Sequence, residues 1–301
     1  MNVVVGLDVG GTKVAVRVET VDGDRVADGQ SAAADWSPVP AATAASWLME
    51  RLRPVLPEGS EIAAVGVGAQ GCDAPPIAAD LQRALEALGL RAVVVNDGQL
   101  LVPAAGCAHG IGIVAGTGSI GVGADAAGNT LLAGGWGWII GDEGGAAAIV
   151  REATKAALTA HDEGQADDGL LTALRRAFDV PNAERLARAV NDDPTVENWA
   201  PRASVVFAAA DNGSALAAAV IDDAARHLTT LVSRLIARGA VGGAGSGTVV
   251  AAGSVIVRQP RLAAAFGARL AARHPGLNLR ILDTEPVAGA VVLARRLLAH
   301  P

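Results

Sequence analysis

The stretch VVVGLDVGGTKVAVRVET, residues 3–20, places one carboxylate and two adjacent glycines between two apolar runs. An apolar run, a glycine turn and a second, alternating apolar run predict two short strands joined by a tight connection. Asp8 stands at the end of the first strand, and Gly10 and Gly11 form the turn. The stretch therefore predicts a pair of strands with a polar edge close to residue 1.

Length and composition limit the classes to which the chain can belong. At 301 residues it exceeds the usual size of one compact domain, so two domains sharing a cleft are expected. The net charge of -7 argues against nucleic acid as a partner, because binding a phosphate backbone requires clustered Lys and Arg. No run of about 18 residues is free of Gly, Pro and charge, which argues against a membrane partner.

The start of the chain and the cysteines bear on location. The first residues lack the pattern of a secretory signal, and Cys72 and Cys107 occur in unrelated contexts, as is usual in a reducing compartment. We therefore expect a cytoplasmic protein.

The pattern of predicted strands and helices occurs twice along the chain. Three strands, a helix, a strand, a helix, a strand and a helix follow one another up to residue 107, and this order, βββαβαβα, recurs from residue 110 with a helical insertion at 145–240. A repeated mixed pattern predicts an α/β fold of two similar domains facing each other across a cleft. We place the first domain at 1–108 together with the C-terminal helix 286–301, and the second at 109–285.

Each half has a glycine-rich turn between its first two strands, Gly10–Gly11 in the first and Gly116–Ser119 in the second. Successive backbone N–H groups in such turns bind anions, and two turns facing each other can hold a row of phosphates. One such turn alone is equally well explained as ordinary hairpin chemistry. Two turns at matching positions favour a nucleotide as the ligand of the cleft.

Four motifs, in the right order along the chain, resemble those of the actin-like and sugar-kinase ATPase superfamily, whose domains have a ribonuclease H-like fold. GLDVGGTKVAV resembles the first phosphate motif, VVVNDG the inter-domain aspartate, VAGTGS the second phosphate motif and VAAGSV the adenosine motif. LAGGWGWIIGDEGG resembles the N-acetylglucosamine kinase branch, which is grouped with the ATPase activators of acyl-CoA dehydratases and reductases. The resemblance implies an ATP-dependent kinase acting on the 6-hydroxyl of N-acetylglucosamine or glucosamine, and it implies a homodimer.

The resemblance also implies a role for each matching residue. The expected contacts of ATP are Gly10, Gly11, Thr12, Lys13, Thr117, Gly118, Gly213, Gly253 and Ser254. The expected sugar contacts are Asp97, Ser119, Gly135, Trp136, Gly137 and Asp142. Asp97 is also expected to be the catalytic base that takes the proton of the attacking hydroxyl. Asp8 is expected to hold Mg²⁺ through water, since this ion keeps most of its waters and takes few protein ligands.

Each of these residue types also has a purely structural interpretation. Asp8 at a strand end can form an Asx turn. Asn96 or Asp97 can cap the helix that follows, and Asp142 can be the N-cap of the next one. For Trp138 we favour a place in the core over a place in the sugar site.

The sequence departs from the family at the sugar site. The family has an Asn shortly after the third strand, whereas this chain has Ala33 and Ala34 there, with Asp35 nearby. An acidic group at this place suits the free amine of glucosamine. After GDEG the chain continues with small residues, Gly145 and then alanines, which implies a roomier pocket that would admit N-acetylmuramic acid.

Three other functions are alternatives to the amino-sugar kinase. The ROK glucokinases have a similar first motif, but their zinc cluster of three Cys and one His is missing here. An ATPase activator needs Cys thiolates for an intersubunit iron–sulfur cluster, and its usual Cys before the GTGS turn is absent. A nucleotide-dependent sensor without turnover requires an inert Asp97.

Overall fold

The structure is a computed structural model that describes residues 1–242 and 247–299. It contains two five-stranded sheets, one in each half of the chain. In both sheets the third strand of the half lies at one edge, followed by the second, first, fourth and fifth. The βββαβαβα order predicted twice from the sequence is thus confirmed, and the two halves share one topology.

The first sheet has the strand order β3-β2-β1-β4-β5. Its strands are β1 (Asn2–Val9), β2 (Lys13–Thr20), β3 (Arg25–Ala32), β4 (Glu61–Ala69) and β5 (Ala92–Val95). Its helices are α1 (Ala41–Leu52), α2 (Pro75–Ala87) and α3 (Leu101–Ala104), the last preceded by a 3-10 turn at Asp97–Leu100. β1 pairs antiparallel with β2 and parallel with β4, which in turn is parallel to β5. The carboxyl ends of β1, β4 and β5 therefore lie at one edge of the sheet.

The second sheet has the order β10-β9-β6-β7-β8. Its strands are β6 (Ile111–Ala115), β7 (Ser119–Ala124), β8 (Thr130–Gly134), β9 (Gly247–Ala252) and β10 (Leu277–Ile281). β6 is antiparallel to β7 and parallel to β9. As in the first sheet, the carboxyl ends of the parallel strands meet at one edge, and this edge brings the turn after β6 next to the turn after β9.

A set of helices between β8 and β9 covers the second sheet and accounts for the predicted insertion. The helices of this half are α4 (Ala146–Asp162), α5 (Leu170–Ala177), α6 (Ala183–Asp192), α7 (Val196–Trp199), α8 (Ala203–Asp211), α9 (Ala215–Ala237), α10 (Ser254–Arg258) and α11 (Pro260–Arg273). Ile149, Leu228 and Phe266 lie in one continuous core with β6 and β9. Among residues 1–242 and 247–299 no single helix is long and apolar enough to span a membrane. The segments Val196–Asp211 and Ala215–Ala237 reach that length and apolarity only when they are counted together, and they meet at a bend of 119°.

The last helix, α12 (Val287–Ala299), packs against the first sheet, where Val291 and Ala294 lie in a cluster with Val4 and Ala64. The approach is close because β4 has a glycine there: a Cβ added to Gly66 would lie 2.0 Å from the carbonyl oxygen of Ala290. Residues 300 and 301 of the predicted segment 286–301 lie outside the described residues.

The segment before α12 is held to the first sheet by charge. Arg17 on β2, whose side chain is 8% exposed, donates to Glu285 at 2.8 Å and to Asp28 at 2.9 Å. The chain therefore leaves β10 of the second sheet and returns to the first sheet, where Glu285 and α12 hold it in place.

Replacing Gly66 by Ala is expected to lower the midpoint of thermal unfolding, because the new methyl group meets the backbone of α12, which cannot move without losing its packing. Overpacking of this kind costs about 1–3 kcal/mol, which corresponds to roughly 2–4 °C per kcal/mol for a chain of this size. Calorimetry of the purified variant measures the change. Gly267→Ala in α11 is the control, since its Cβ would meet only ordinary contacts; an equal effect in both variants would contradict close packing at Gly66.

Candidate active site

The first glycine turn joins β1 to β2 through three residues. The N–H of Gly10 donates to the carbonyl of Lys13 at 3.0 Å, and the N–H of Gly11 has no acceptor among the described residues. A Cβ on Gly11 would lie 2.8 Å from Oε1 of Gln70, so the turn passes close to the segment after β4. Gly11, Thr12 and Lys13 are exposed. The turn thus presents backbone donors at the carboxyl edge of the first sheet, as the sequence predicted.

Asp8 and Asp97 meet at this edge. Burial raises the pKa of Asp8 to about 7, with a further contribution from the negative charge of Asp97, while Lys13 opposes the rise. Asp8 forms no hydrogen bond or ion pair within the part of the chain that the structure describes. A buried carboxylate without a partner, with the charge of a second carboxylate acting on it, needs a cation or a proton.

Asp97 lies directly after β5, at the start of the 3-10 turn. Burial raises its pKa to about 6; a hydrogen bond from the N–H of Gly98 opposes this, and the charge of Asp73 adds to it. Its Oδ1 accepts that N–H at 3.0 Å, whereas its Oδ2 has no partner among residues 1–242 and 247–299. One carboxylate oxygen is therefore fixed by the backbone and the other is free to accept a proton.

The residue that caps this turn is Asn96, and not Asp97, which was the other candidate. The Asn96 side chain accepts from the N–H of Gly98 at 2.8 Å, and Gln99 accepts from the N–H of Asn96 at 3.1 Å. Asn96 also donates to Asp73 at 2.6 Å and is 3% exposed. Because Asn96 supplies the cap, Asp97 is not needed for that purpose.

The Asp97 turn also contacts the second sheet. A Cβ on Gly98 would lie 2.5 Å from Cγ2 of Val122 on β7, and one on Gly112 would lie 3.0 Å from the carbonyl oxygen of Gly98. Thr130 on β8 donates to Gln99 at 3.1 Å. The turn that carries Asp97 is thus held between the two halves of the molecule.

The second glycine turn lies at the matching edge of the second sheet. Its carbonyls at Gly116 and Thr117 accept from the N–H groups of Ala146 and Ala147 at the start of α4. Gly253, with φ +108°, packs so tightly on β6 that a Cβ would lie 2.5 Å from the carbonyl oxygen of Ala115. The structure brings Thr117 and Gly118 together with Gly253 and Ser254. The close packing on β6 by itself explains why residue 253 is a glycine, without an adenine ring.

The Asp142 loop closes over the second turn. A Cβ on Gly118 would lie 2.3 Å from Oδ2 of Asp142, and Asp142 Oδ1 accepts from the N–H of Gly137 at 3.3 Å. Burial is the largest cause that raises its pKa. The N-cap of α4 is Gly145, so the hypothesis that Asp142 caps this helix is wrong; Asp142, with φ +57°, instead orients the loop.

The other predicted sugar residues differ in exposure. Ser119 is 4% exposed and donates to the carbonyl of Glu143 at 2.8 Å, so its hydroxyl proton is already used in holding the loop. Gly135 and Gly137 are exposed, and the Trp136 side chain is 74% exposed. Trp138 packs against Trp199 with ring centroids 4.9 Å apart, as favoured from the sequence.

Gly213 is the one predicted residue that the described contacts do not place with the others. It lies in the turn between α8 and α9 with φ +99°, and an added Cβ would have no neighbour within 4 Å. The nearby Asp211 pairs with Arg261 on α11 at 2.9 Å. This ion pair, together with a hydrogen bond from Arg261 to the carbonyl of Ala210 at 3.3 Å, connects the turn to the helix that follows the Gly253 region.

The segment that departs from the family lies beside the first turn. The N–H of Ala33 donates to the carbonyl of Thr12 at 3.1 Å, and the indole of Trp36 donates to the carbonyl of Gln70 at 3.0 Å. Asp35 between them is exposed, with φ +61°. The acidic residue noted in the sequence therefore stands at the same edge as Asp8.

Sequence reasoning missed Asp73, Gln99 and Gln70. Asp73 follows β4 by four residues, and the rule that ligands bind at the carboxyl ends of parallel strands would have pointed to it. Gln99 is three residues after Asn96, which is the spacing of a capping box. The strand-end position of Asp73 and the spacing of Gln99 do not predict the hydrogen-bond partner of either side chain.

The donor set fits Mg²⁺ of the kind that a nucleotide brings with it. Within the described residues no group of three or more His, Cys, Asp or Glu side chains is placed to hold a metal. Asp8, unpaired and beside a second carboxylate, suits an ion that keeps several waters and takes one or two carboxylates plus phosphates.

Comparison with known proteins identifies the family of the chain. The chain matches the BadF/BadG/BcrA/BcrD ATPase family over residues 5–294. A curated relative, the N-acetylmuramic acid/N-acetylglucosamine kinase of Clostridium acetobutylicum, is 28% identical over 309 residues, which cover 98% of this chain and 99% of that protein.

Solved structures show the same fold. A candidate N-acetylglucosamine kinase from Chromobacterium violaceum has a TM-score of 0.72 at 24% identity and covers 97% of this chain and 98% of that one. A ROK family glucokinase from Streptomyces griseus, solved with glucose and AMPPNP, has a TM-score of 0.55 at 17% identity, with 98% and 99% covered. The two sheets are those of the two-domain, actin-like sugar-kinase fold, and the match over nearly its whole length places the chain in the BadF/BadG/BcrA/BcrD ATPase family.

Proposed function

We propose that the protein is an ATP-dependent kinase that phosphorylates the 6-hydroxyl of an amino sugar, N-acetylglucosamine, glucosamine or N-acetylmuramic acid. The observation that carries the proposal is Asp97, whose free carboxylate oxygen stands next to Asp8 at the edge with the first glycine turn. The named activity of the Clostridium relative supports the class of substrate.

Phosphoryl transfer asks a protein mainly to position two substrates and to stabilise the charge that develops on the phosphoryl group. The exposed N–H groups at Gly11 and Thr12 and the turn at Thr117–Gly118 supply donors for the phosphates of ATP from the two halves. Lys13 adds a positive charge beside Asp8. Asp8 would hold Mg²⁺ through water, and the bound ion would neutralise charge on the phosphates.

Asp97 is suited to be the base. Its raised pKa of about 6 leaves it ionised at neutral pH and still basic enough to accept a proton from a hydroxyl that is attacking a phosphoryl group. The hydrogen bonds of Asn96 and Gln99 fix the backbone of the turn that carries Asp97, and the Gly98 N–H fixes one of its carboxylate oxygens. The Oδ2 atom then takes the proton while the sugar oxygen forms its bond to the γ-phosphorus of ATP, the bond from that phosphorus to the bridging oxygen breaks, and ADP leaves.

Asp142 is proposed as the acceptor for sugar hydroxyls. It is half-buried, and backbone N–H groups of Gly137 and Ser119 interact with its carboxylate, whose four lone pairs leave acceptor capacity for a hydroxyl of the substrate. A sugar lacking a matching hydroxyl would leave this carboxylate unpaired, and such a mismatch costs much of the binding energy. Asp35, exposed near the first turn, favours glucosamine among the candidates because it can pair with a free ammonium group.

The two halves are proposed to be domains that close over the substrates, 1–108 with 286–301 and 109–285. Closure excludes water, which would otherwise accept the phosphoryl group. The homodimer and the cytoplasmic location stay predictions from the sequence.

The activator alternative is disfavoured by its chemistry. An iron–sulfur cluster shared by two subunits needs thiolates. Cys72 is 3% exposed, and burial raises its pKa to about 12, which keeps the thiol protonated and out of reach. Cys107 is half-buried and donates weakly to the carbonyl of Ala105.

Asp97→Asn is expected to lower kcat for N-acetylglucosamine or glucosamine phosphorylation by about 10²–10⁴-fold, because the amide cannot accept the proton. The fold and the affinity for MgATP should be unchanged, as measured by circular dichroism and calorimetric titration. Asp80→Asn, an exposed carboxylate on α2, is the matched control. Near-normal turnover of Asp97→Asn would remove this residue from the role of base.

Asp73→Asn is expected to move the acid limb of the pH–kcat profile to lower pH. Wild-type activity should fall as the pH drops below about 6, because the base must be ionised and its pKa is about 6. Asp73 contributes to that raised pKa by its negative charge, and the amide of Asn keeps an oxygen that can accept from Asn96. A profile that does not move would show that Asp97 is not the group that limits the rate.

Asp8→Asn is expected to stabilise the nucleotide-free protein at alkaline pH while abolishing MgATP-dependent turnover. The folded pKa of about 7 lies above about 3.9 for an unfolded Asp, so the native state binds the proton more tightly. Asp8 therefore destabilises the fold progressively as the pH rises from about 4 to about 7. The Tm of the variant minus that of wild type should grow between pH 5 and pH 8. A difference that is constant over this range, as expected for Asp22→Asn in an exposed turn, would contradict the burial of Asp8.

A further inference from the structure

The Asp142 loop, residues 135–145 between β8 and α4, has little apolar packing of its own. Of its four large apolar side chains only Trp138 packs inward, against Trp199 in the core of the second half. Trp136, Ile139 and Ile140 are 74%, 68% and 79% exposed. Because exposed side chains contribute little to ordering a loop, its position depends on polar contacts.

Arg151 on α4 supplies such contacts from outside the loop. Its Nη1 donates to the carbonyl of Trp138 and, at 3.3 Å, to the carbonyl of Gly141. Within residues 1–242 and 247–299 no other side chain donates to a carbonyl of the segment 135–142. The two carbonyls flank the exposed Ile139 and Ile140, so one guanidinium closes the turn that leads directly into Asp142.

The Arg151 side chain is itself restrained. It is 16% exposed, and its Nε donates to Glu152 at 2.7 Å. Glu152 also pairs with Lys155, at 2.7 Å, on the same helix. Fixing a long side chain costs conformational entropy, and burial and the ion pair already restrict this one. The loop is thus supported by a group that α4 holds in place.

Asp142 is the residue that benefits from this support. Its φ of +57° lies in the left-handed region, which a residue other than glycine keeps only where its surroundings hold it. It directly follows Gly141, whose carbonyl Arg151 binds. Burial raises the pKa of Asp142, and the positive charge of Arg151 is among the groups that oppose this rise. Arg151 therefore acts on both the place and the charge of this carboxylate.

We propose that Arg151 is a positioning residue for sugar recognition, because its guanidinium holds the carbonyls of Trp138 and Gly141 and so orders Asp142 before the sugar binds. The inference rests on the proposed function, in which Asp142 accepts the sugar hydroxyls. A loop that is not ordered in advance has to be ordered on binding, and this cost lowers the affinity for the sugar. The proposed contacts of ATP lie outside residues 135–145, so the affinity for ATP does not depend on Arg151.

Steady-state kinetics with MgATP tests the proposal, using whichever of the three proposed amino sugars the wild-type protein phosphorylates. Arg151→Gln is expected to raise KM for that sugar by about 10-fold and to change KM for ATP by less than about 2-fold. Arg151→Lys keeps the charge but not the planar fork of donors, so its sugar KM should stay within about 3-fold of that of Arg151→Gln. Lys155→Gln is the matched control, since it removes the other partner of Glu152 without touching the loop.

Hydrogen exchange of the protein without ligands, followed by mass spectrometry, measures the order of the loop directly. The N–H groups of Gly141 and Gly145 donate to the carbonyls of Gly137 and Asp142, at 2.8 Å each. In Arg151→Gln the peptide that contains residues 135–145 should exchange at least about 5-fold faster, because these bonds open more often. Peptides from β6 and β7, and the loop in Lys155→Gln, should exchange as in the wild-type protein.

The two measurements separate this proposal from the proposed function. An unchanged sugar KM in Arg151→Gln, or unchanged exchange of the loop peptide, would overturn the role of Arg151. Full recovery of the sugar KM in Arg151→Lys would also overturn it, since charge alone would then suffice. A wild-type protein that phosphorylates no amino sugar would instead refute the proposed function, and hydrogen exchange would still decide whether Arg151 orders the loop.

Discussion

The burial of the Asp8 and Asp97 carboxylates at one edge of the first sheet is the constraint on which the proposed chemistry depends. Each lies at the end of a buried parallel strand, and burial raises the pKa of both, to about 7 and about 6. The sheet keeps both carboxylates in this unfavourable environment because it fixes both strand ends. In the proposed mechanism, Asp8 would take up the Mg²⁺ that the nucleotide brings, and Asp97 would act as the base near the reacting phosphate.

Close backbone packing gives this site its geometry. The Asp97 turn contacts β7 through Gly98, and Gly253 lies directly on β6. At each of these places a side chain would collide with the neighbouring backbone or with a packed residue. These glycines therefore let the elements approach closely, which places the Asp97 turn on the second sheet and the turn after β9 on β6.

The sequence predicts the fold well because its signals are local. Alternating apolar residues and glycine turns determine the strands, and their repetition predicts the two sheets with their shared order. The choice between competing roles is not local. Asn96 caps the turn and leaves Asp97 free, and Gly145 caps α4 in place of Asp142. Both outcomes depend on the residue at which the 3-10 turn or α4 begins. Tertiary packing, and not the local sequence, determines that residue.

Contacts between segments far apart in the chain likewise could not be predicted from the sequence. Asp73 reaches Asn96 because β4 and β5 pair in parallel, although 23 residues separate them. Trp138 contacts Trp199 because the loop after β8 packs on a helix that follows much later in the chain. Residue spacing carries no information on either contact.

The proposed function requires that a sugar hydroxyl, and not water, receives the phosphoryl group. Coupled ADP release with MgATP distinguishes the two acceptors when it is measured against N-acetylglucosamine, glucosamine, N-acetylmuramic acid and glucose and the product mass is determined in parallel. We expect ADP release that depends on one or two amino sugars and is matched mole for mole by a sugar phosphate. ATP hydrolysis at the same rate with and without every sugar would contradict it.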